Sequence, residues 1–260
     1  MRFRHIFFFL IPRVLRSEEN VFQETTPTQV PVCLPSKSQV NEENKLIKLF
    51  FKGLRNGVFV EIGAYDGITF SNTLKLETCF DWKGLLIEGD KLSFDRMKAN
   101  AKKYRPRSIL RHGAVCAPPQ KFVNFAREGK ATSGDLDIMA KFKKSRRWHD
   151  ERRNATSGQW RSGWFDAVPC RTMAEYLSEA SISHINFFSL DVEGSELEIL
   201  MTIDFQRVNI DVLMIEEDKH SYSNTWKISN LLANLGFRLC PEGTVRFSRV
   251  FLGPRSPYHC

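Results

Sequence analysis

Five apolar runs of strand length, at 57–62, 84–87, 108–115, 185–190 and 210–215, alternate along this chain with stretches of helical period at 71–80, 93–104, 172–180, 196–203 and 224–235. The runs are close to continuous rather than alternating, so both of their faces must be covered. Strands interleaved with helices in this manner build a mostly parallel sheet with helices on each side, an α/β architecture. The tail is different: 238–240 and 245–252, around Pro241-Glu242-Gly243, read as an antiparallel hairpin that closes the sheet. A short amphipathic helix carrying Leu46, Ile47, Leu49 and Phe50 precedes the first strand and is expected to lean on the sheet edge.

With 260 residues the chain suits one such domain, read as 41–260 behind a leader and linker at 1–40. The leader opens with Met1-Arg2-Phe3-Arg4-His5 and the apolar run Ile6-Phe7-Phe8-Phe9-Leu10-Ile11, as a signal or membrane anchor would. Six apolar residues before Pro12 fall below the length of a signal core and far below that of a bilayer span. Membrane attachment is therefore expected only through a possible N-terminal anchor. Residues 117–168 break the strand–helix rhythm and read as an insertion, with a possible strand at 122–125. Within it, 141–161 holds eight basic residues against Asp150 and Glu151, which is most of the chain's net +8. Together with Trp148, Trp160 and Trp164 this segment suggests a lid or surface excursion. Arginine interleaved with tryptophan also allows an RNA-gripping reading, but such runs are more often solvated faces, so nucleic acid is not the expected partner.

A hydrophobic content of 42% with 26% charged residues excludes a fibre or a disordered chain. The six cysteines form no C-x-x-C pair and no Cys/His spacing suited to zinc. Their even number, with the sequon Asn154-Ala155-Thr156, is compatible with a secretory compartment in which disulfides form. Buried free thiols in the cytoplasm account for the same count, so localisation stays open.

Chemistry concentrates where strands end. In an open α/β sheet the ligand lies beyond the carboxyl ends of the strands, and the first strand flanks that crevice. Here the first strand runs into Glu61-Ile62-Gly63-Ala64-Tyr65-Asp66-Gly67, a tight loop whose glycines permit close backbone approach. Acids beside both glycines put negative charge where a dinucleotide site would want bare N–H groups, which favours a cationic ligand over a pyrophosphate. The second strand ends at Glu88, placed to accept from ribose hydroxyls. The third ends at His112-Gly113-Ala114-Val115, small enough for an adenine ring to lie against the backbone. The fourth empties into Asp191-Val192-Glu193-Gly194-Ser195-Glu196; Asp191 and Glu193 would face one side if the turn is extended, while Glu196 would serve the dipole of the next helix. The fifth ends at Glu216-Glu217-Asp218-Lys219-His220, where His220 is a candidate base.

In order along the chain, Val60-Glu61-Ile62-Gly63-Ala64-Tyr65-Asp66-Gly67, Ser71-Asn72-Thr73-Leu74, Leu76-Glu77, Trp82-Lys83-Gly84-Leu85-Leu86-Ile87-Glu88 and Phe188-Ser189-Leu190-Asp191-Val192-Glu193-Gly194-Ser195-Glu196-Leu197-Glu198 resemble the FkbM family of methyltransferases over about 59–253. The resemblance implies a Rossmann-like class I methyltransferase fold and S-adenosyl-L-methionine as methyl donor. It also implies O-methylation of a hydroxyl on a sugar, polyketide or related metabolite. Carried over by position, Glu61, Gly63, Tyr65, Asp66 and Gly67 form the donor loop, Glu88 holds the ribose, and Asp191 with Glu193 lines the reaction side. Tyr65 stands where the family loop is expected to carry Asn. The basic insertion belongs to no family pattern, so the acceptor is read only as a small molecule or glycan.

An alcohol needs a proton acceptor before it attacks, which makes Asp191 the first candidate base and His220 the second. No metal is assigned; a variant in which Asp191, Glu216 and Glu217 hold Mg²⁺ is the alternative. Two other functions compete: a catalytically silent methyltransferase fold acting in binding or trafficking, and an RNA methyltransferase.

Overall fold

The computed structural model describes residues 32–127, 130, 133–142, 152–154, 156–157, 159–216, 222–246 and 248–260. Its main sheet has seven strands. Five are parallel: β1 (Val58–Ile62), β2 (Lys83–Glu88), β3 (Ser108–His112), β7 (His184–Leu190) and β8 (Asn209–Glu216). β9 (Arg238–Leu239) and β10 (Ser248–Leu252) pair antiparallel with each other, and β10 runs antiparallel along β8. The order across the sheet is β3-β2-β1-β7-β8-β10-β9, so the direction of travel reverses between β1 and β7. This is the Rossmann-like class I methyltransferase architecture, with the C-terminal hairpin where the sequence placed it.

Two-sided burial explains the apolar runs. On β1, Val60 and Ile62 enter one core with Leu85, Ile87, Phe188 and Leu213, whereas Phe59 enters the opposite core with Leu86, Phe187 and Val212. The first core is closed by α5 (Met173–Glu179), α6 (Glu196–Leu200) and α7 (Tyr222–Asn234) through Met173, Leu177, Ile199, Ile228 and Leu232. The second is closed by α1 (Glu42–Leu49), α2 (Leu74–Phe80) and α3 (Lys91–Tyr104) through Leu46, Leu76 and Met97, with Trp82 fully buried beside them. Residues 32–41, just ahead of α1, form neither helix nor strand, yet they are fastened to the domain. Cys33 is disulfide-bonded to Cys79, and the Leu34 N–H donates to Thr78 Oγ1.

The third apolar run is not one strand. At Gly113 it leaves the main sheet, and β4 (Ala114–Val115) joins β6 (Phe165–Arg171) and β5 (Phe122–Ala126) in a second sheet of three strands. The break is enforced from two sides: the Gly113 N–H donates to the Glu88 carbonyl, and a Cβ at 113 would stand 2.2 Å from the Tyr176 hydroxyl oxygen. Gly113 thus makes room for Tyr176, which also donates to the Ala114 carbonyl. The predicted helix at 196–203 stops at Leu200, because the Thr202 N–H and hydroxyl both turn back to the Ile199 carbonyl.

The insertion is therefore built on β5, α4 (Leu136–Phe142) and β6, and is stapled at its base by Cys116–Cys170. A third disulfide joins Cys240 to Cys260.

One polar cluster is buried between α2, α3 and the loop that follows β1. Arg105 and Glu77 are both fully buried and meet at 2.6 Å through Nε. Nη1 of the same guanidinium donates to the Gly67 carbonyl and Ser71 Oγ, and Nη2 to Thr73 Oγ1. Glu77 also accepts from the Arg107 N–H and the Ser108 hydroxyl. Removing one partner strands the other charge in the interior, at a cost of about 3–5 kcal/mol. Arg105→Ala is therefore expected to lower the urea midpoint by that equivalent, and Lys98→Ala, at the surface of the same helix, is expected to leave it within about 0.5 kcal/mol.

Candidate functional site

The loop after β1 and the ends of β2, β7 and β8 converge where the strand order reverses. Gly63 has φ +80°, and a Cβ there would stand 1.8 Å from the Asp191 carbonyl oxygen, so the loop from β1 and the loop from β7 touch only because 63 is glycine. Gly67, at φ +75°, turns the chain again beneath Met97.

The amides of this loop are spent internally. Those of Gly63 and Ala64 donate to the Ile87 carbonyl, that of Tyr65 to Glu88 Oε2 at 2.7 Å and that of Gly67 to the Ala64 carbonyl. The Ile68 and Thr69 amides donate to Asp66 Oδ1, and the Thr69 hydroxyl donates to Oδ2. A loop with its N–H groups turned inward is poorly suited to a pyrophosphate.

Glu88 is buried, and its oxygens accept one backbone N–H each, from Tyr65 and from Asp90. Burial pushes the Glu88 carboxyl up to about 8, against the backbone N–H groups of Asp90, Tyr65 and Gly89 that pull it down. Tyr65, at φ +50°, receives a hydrogen bond on its hydroxyl from Arg96.

Glu61 is held by its own chain. Its carboxylate accepts from Ser71 Oγ (2.9 Å), the Asn72 N–H (2.8 Å) and Thr73 Oγ1 (2.6 Å), tying the end of β1 to the start of α2. Asp66 is likewise occupied by the turn it starts. In the loop after β7, Glu193 has φ +56° and Gly194 φ +107°. The backbone here is a turn rather than extended, so the alternation that would set Asp191 and Glu193 on one side does not hold. Glu196 does not simply face the dipole of α6: its Oε1 accepts from the Gly194 and Val192 N–H groups and holds the loop closed.

Asp191 lines a small cleft together with Gln39, Glu42, Phe70, Asn72, Leu190, Met214, Glu216 and Ser248. Burial first, and then a hydrogen bond shared with Glu216, drive its pKa well above the ordinary carboxylate value. The sequence singled out Asp191 and Glu216 but gave no role to Asn72 or Glu42, which complete the cleft. His220, the second candidate base, and Glu217 of the Mg²⁺ variant lie outside the described residues.

The insertion reaches over this edge. A Cβ at Gly89, the residue after Glu88, would stand 2.3 Å from Cε2 of Phe125 on β5, and Gly134 lies beneath Glu193. Trp160 and Trp164 carry the guanidinium groups of Arg153 and Arg152 on their rings, at 4.0 and 4.7 Å, so a face of each ring is engaged within the protein.

The family model described as the methyltransferase FkbM domain matches residues 61–239, from Glu61 of the donor loop to Leu239 at the end of β9. The chain belongs to the FkbM methyltransferase family. It is an S-adenosylmethionine-dependent methyltransferase by family and fold. Among solved structures it is similar to a methyltransferase FkbM from Methylobacillus flagellatus KT, at 14% identity and TM-score 0.45, over 83% of this chain and 48% of that one. It is also similar to an O-methyltransferase from Bacillus cereus in complex with SAH, at 10% identity and TM-score 0.44, over 84% and 83% of the two chains. A precorrin-6y C5,15-methyltransferase from Geobacter metallireducens GS-15 aligns at 13% identity and TM-score 0.40, over 81% and 85%. No curated protein matches the sequence.

Glu88 gives this FkbM protein a pH signature. Between its ordinary value of 4.5 and about 8, the folded chain keeps a proton that the unfolded chain has released, so stability falls as pH rises through that window. Glu43, pushed up to about 7 by burial beneath α2, acts in the same direction. The urea midpoint of the ligand-free protein should therefore drop from pH 5 to pH 8, and Glu88→Gln should flatten that slope. A slope unchanged in the variant would remove Glu88 as its source.

Proposed function

We propose that this FkbM-family protein transfers a methyl group to a hydroxyl of a small-molecule or glycan acceptor, with Asp191 as the proton acceptor. The observation that carries the reading is the Asp191–Glu216 pair in a cleft that opens beside the donor loop. The donor supplies an electrophilic methyl on a sulfonium. Glu88 would hold its ribose, and the carboxylates around the crevice suit its positive charge. Gly63 and Gly67 would allow the backbone to pass close to it.

Displacement at a methyl group asks chiefly for alignment, so much of the acceleration is expected from holding the acceptor oxygen in line. The remaining requirement is loss of the hydroxyl proton. A carboxyl whose affinity for protons has been raised by burial and by a second carboxyl is a better base than an ordinary aspartate, provided one oxygen stays open. Oxygen-rich walls from Glu42, Asn72, Glu216 and Ser248 would hold the other hydroxyls of a polyol acceptor.

A second reading has one observation in its favour. Phe125 lies against Gly89, directly after the proposed ribose ligand, and takes up space on the side where a purine would be sought. A methyltransferase fold that has closed its donor site would act by binding alone. Calorimetry with S-adenosylhomocysteine separates the two, since a closed site gives no heat.

The three disulfides support residence in an oxidising compartment, and the sequon asparagine, Asn154, is exposed. The acceptor panel for a test accordingly includes glycans and lipids as well as polyketides. Incubation with methyl-labelled donor followed by mass spectrometry should label one of these classes. Asp191→Asn should then reduce transfer by at least about a hundredfold with donor affinity retained. Full turnover in that variant would reject Asp191 as the base.

A further inference from the structure

The polar lining of the cleft is made of oxygen. Glu42, Asp191 and Glu216 contribute carboxyls, Gln39 and Asn72 amides, and Ser248 a hydroxyl. Asp191 and Glu216 each follow directly on a paired position of β7 and β8, Leu190 opposite Ile215. That register brings the two carboxyls together, and they meet through a hydrogen bond. The charges that bear most on Asp191 are those of Glu216, Glu193 and Glu196, all of one sign.

Asn72 is an independent observation. It is 91% buried, at 9% relative exposure, and it lines the cleft from the loop between β1 and α2. Its backbone N–H is held by Glu61 Oε1 at 2.8 Å, and its Nδ2 donates to Ser189 Oγ at 3.2 Å, two residues before Asp191 on β7. These bonds fix the amide plane and leave Oδ1 buried without a hydrogen-bond partner. A buried carbonyl oxygen in that position calls for a donor or a cation.

We propose that Asp191, Glu216 and Oδ1 of Asn72 bind one divalent hard cation, Mg²⁺ or Mn²⁺, on the acceptor side of the crevice. Carboxylate and amide oxygens are the ligand types that such ions prefer over nitrogen or sulfur. Among the described residues, no third Asp, Glu, His or Cys offers a ligand atom close to both carboxyls. Asn72 therefore supplies the third protein ligand, and water or the acceptor completes the shell, as is usual for Mg²⁺. The inference rests on reading this cleft as the acceptor side. A bound divalent ion acidifies a hydroxyl placed against it, which eases the demand on Asp191 as a base.

The test is titration of the whole chain with MnCl₂, following free Mn²⁺ by electron paramagnetic resonance, beside a separate titration with S-adenosylhomocysteine. The expected result is one saturable Mn²⁺ per chain, weakened at least tenfold in Glu216→Gln and in Asn72→Ala. Asn72→Asp, which replaces a dipole by a charge, should bind Mn²⁺ more tightly and show a larger rise in melting temperature on its addition than the parent. Those melting curves also establish that each variant is folded. Absence of saturable Mn²⁺ binding, or affinity unchanged in folded Glu216→Gln and Asn72→Ala, overturns the proposal. If Mn²⁺ binds as expected while S-adenosylhomocysteine gives no heat, the cation site stands and the donor reading falls; the reverse result removes the cation site alone.

Discussion

The site hangs on a single buried guanidinium. Arg105 stands where α3 ends, and its nitrogens reach the Gly67 carbonyl in the donor loop, two hydroxyls of the connection to α2, and Glu77 in α2 itself. Phe59 of β1 lies under its plane at 5.3 Å. One side chain thereby fixes the exit of the first strand relative to two helices. Glu61 works from the other end of the same connection, so Ser71, Asn72 and Thr73 are gripped by a carboxylate and by a cation. Without that double hold, the loop that delivers Asn72 to the cleft would have only its turn geometry to position it.

What the sequence disclosed follows from how strongly each segment is constrained. A strand buried on two faces has no choice but to be apolar throughout, so all five parallel strands were legible to within a residue or two, the split at Gly113 apart. The second sheet is covered differently. β6 alternates Val168 and Cys170 inward with Ala167, Pro169 and Arg171 outward, and the proline argues against a strand on sight. It is tolerated because β4 begins to pair only at Cys170, leaving Pro169 with no neighbour on that side to bond. Disulfide pairing was equally hidden. Six cysteines allow about fifteen connectivities, and only the tertiary fold selects among them.

In the site, the residues legible in advance were those attached to backbone necessity. Gly63 had to be small, and Asp191 had to stand at the end of the central strand next to it. The roles of the surrounding acids were not legible, since a carboxylate that grips a ligand and one that grips a neighbouring loop look alike in sequence. Glu61, Asp66 and Glu196 turned out to hold backbone and hydroxyl donors of their own chain. Arg105 and Glu77 were missed for the converse reason: charged residues on amphipathic helices are ordinarily solvated, and nothing local marks a pair that is fully buried.

These assignments leave a division of labour along the crevice. On the β2 side, Phe125 rests on Gly89 and packs on the cluster containing Cys116 and Cys170, so the aromatic edge of the insertion is tied to a covalent staple. On the β7 side the walls are oxygen, brought in by strand ends and by Asn72. The apolar edge is positioned by a disulfide, whereas the spacing of the carboxyls is set by the register of two parallel strands. The two halves are positioned by different parts of the chain, the insertion and the strand-end loops of the main sheet respectively. Asp191 joins the loop after β1 to the cleft, since its carbonyl oxygen packs on Gly63 while its side chain lines the cleft.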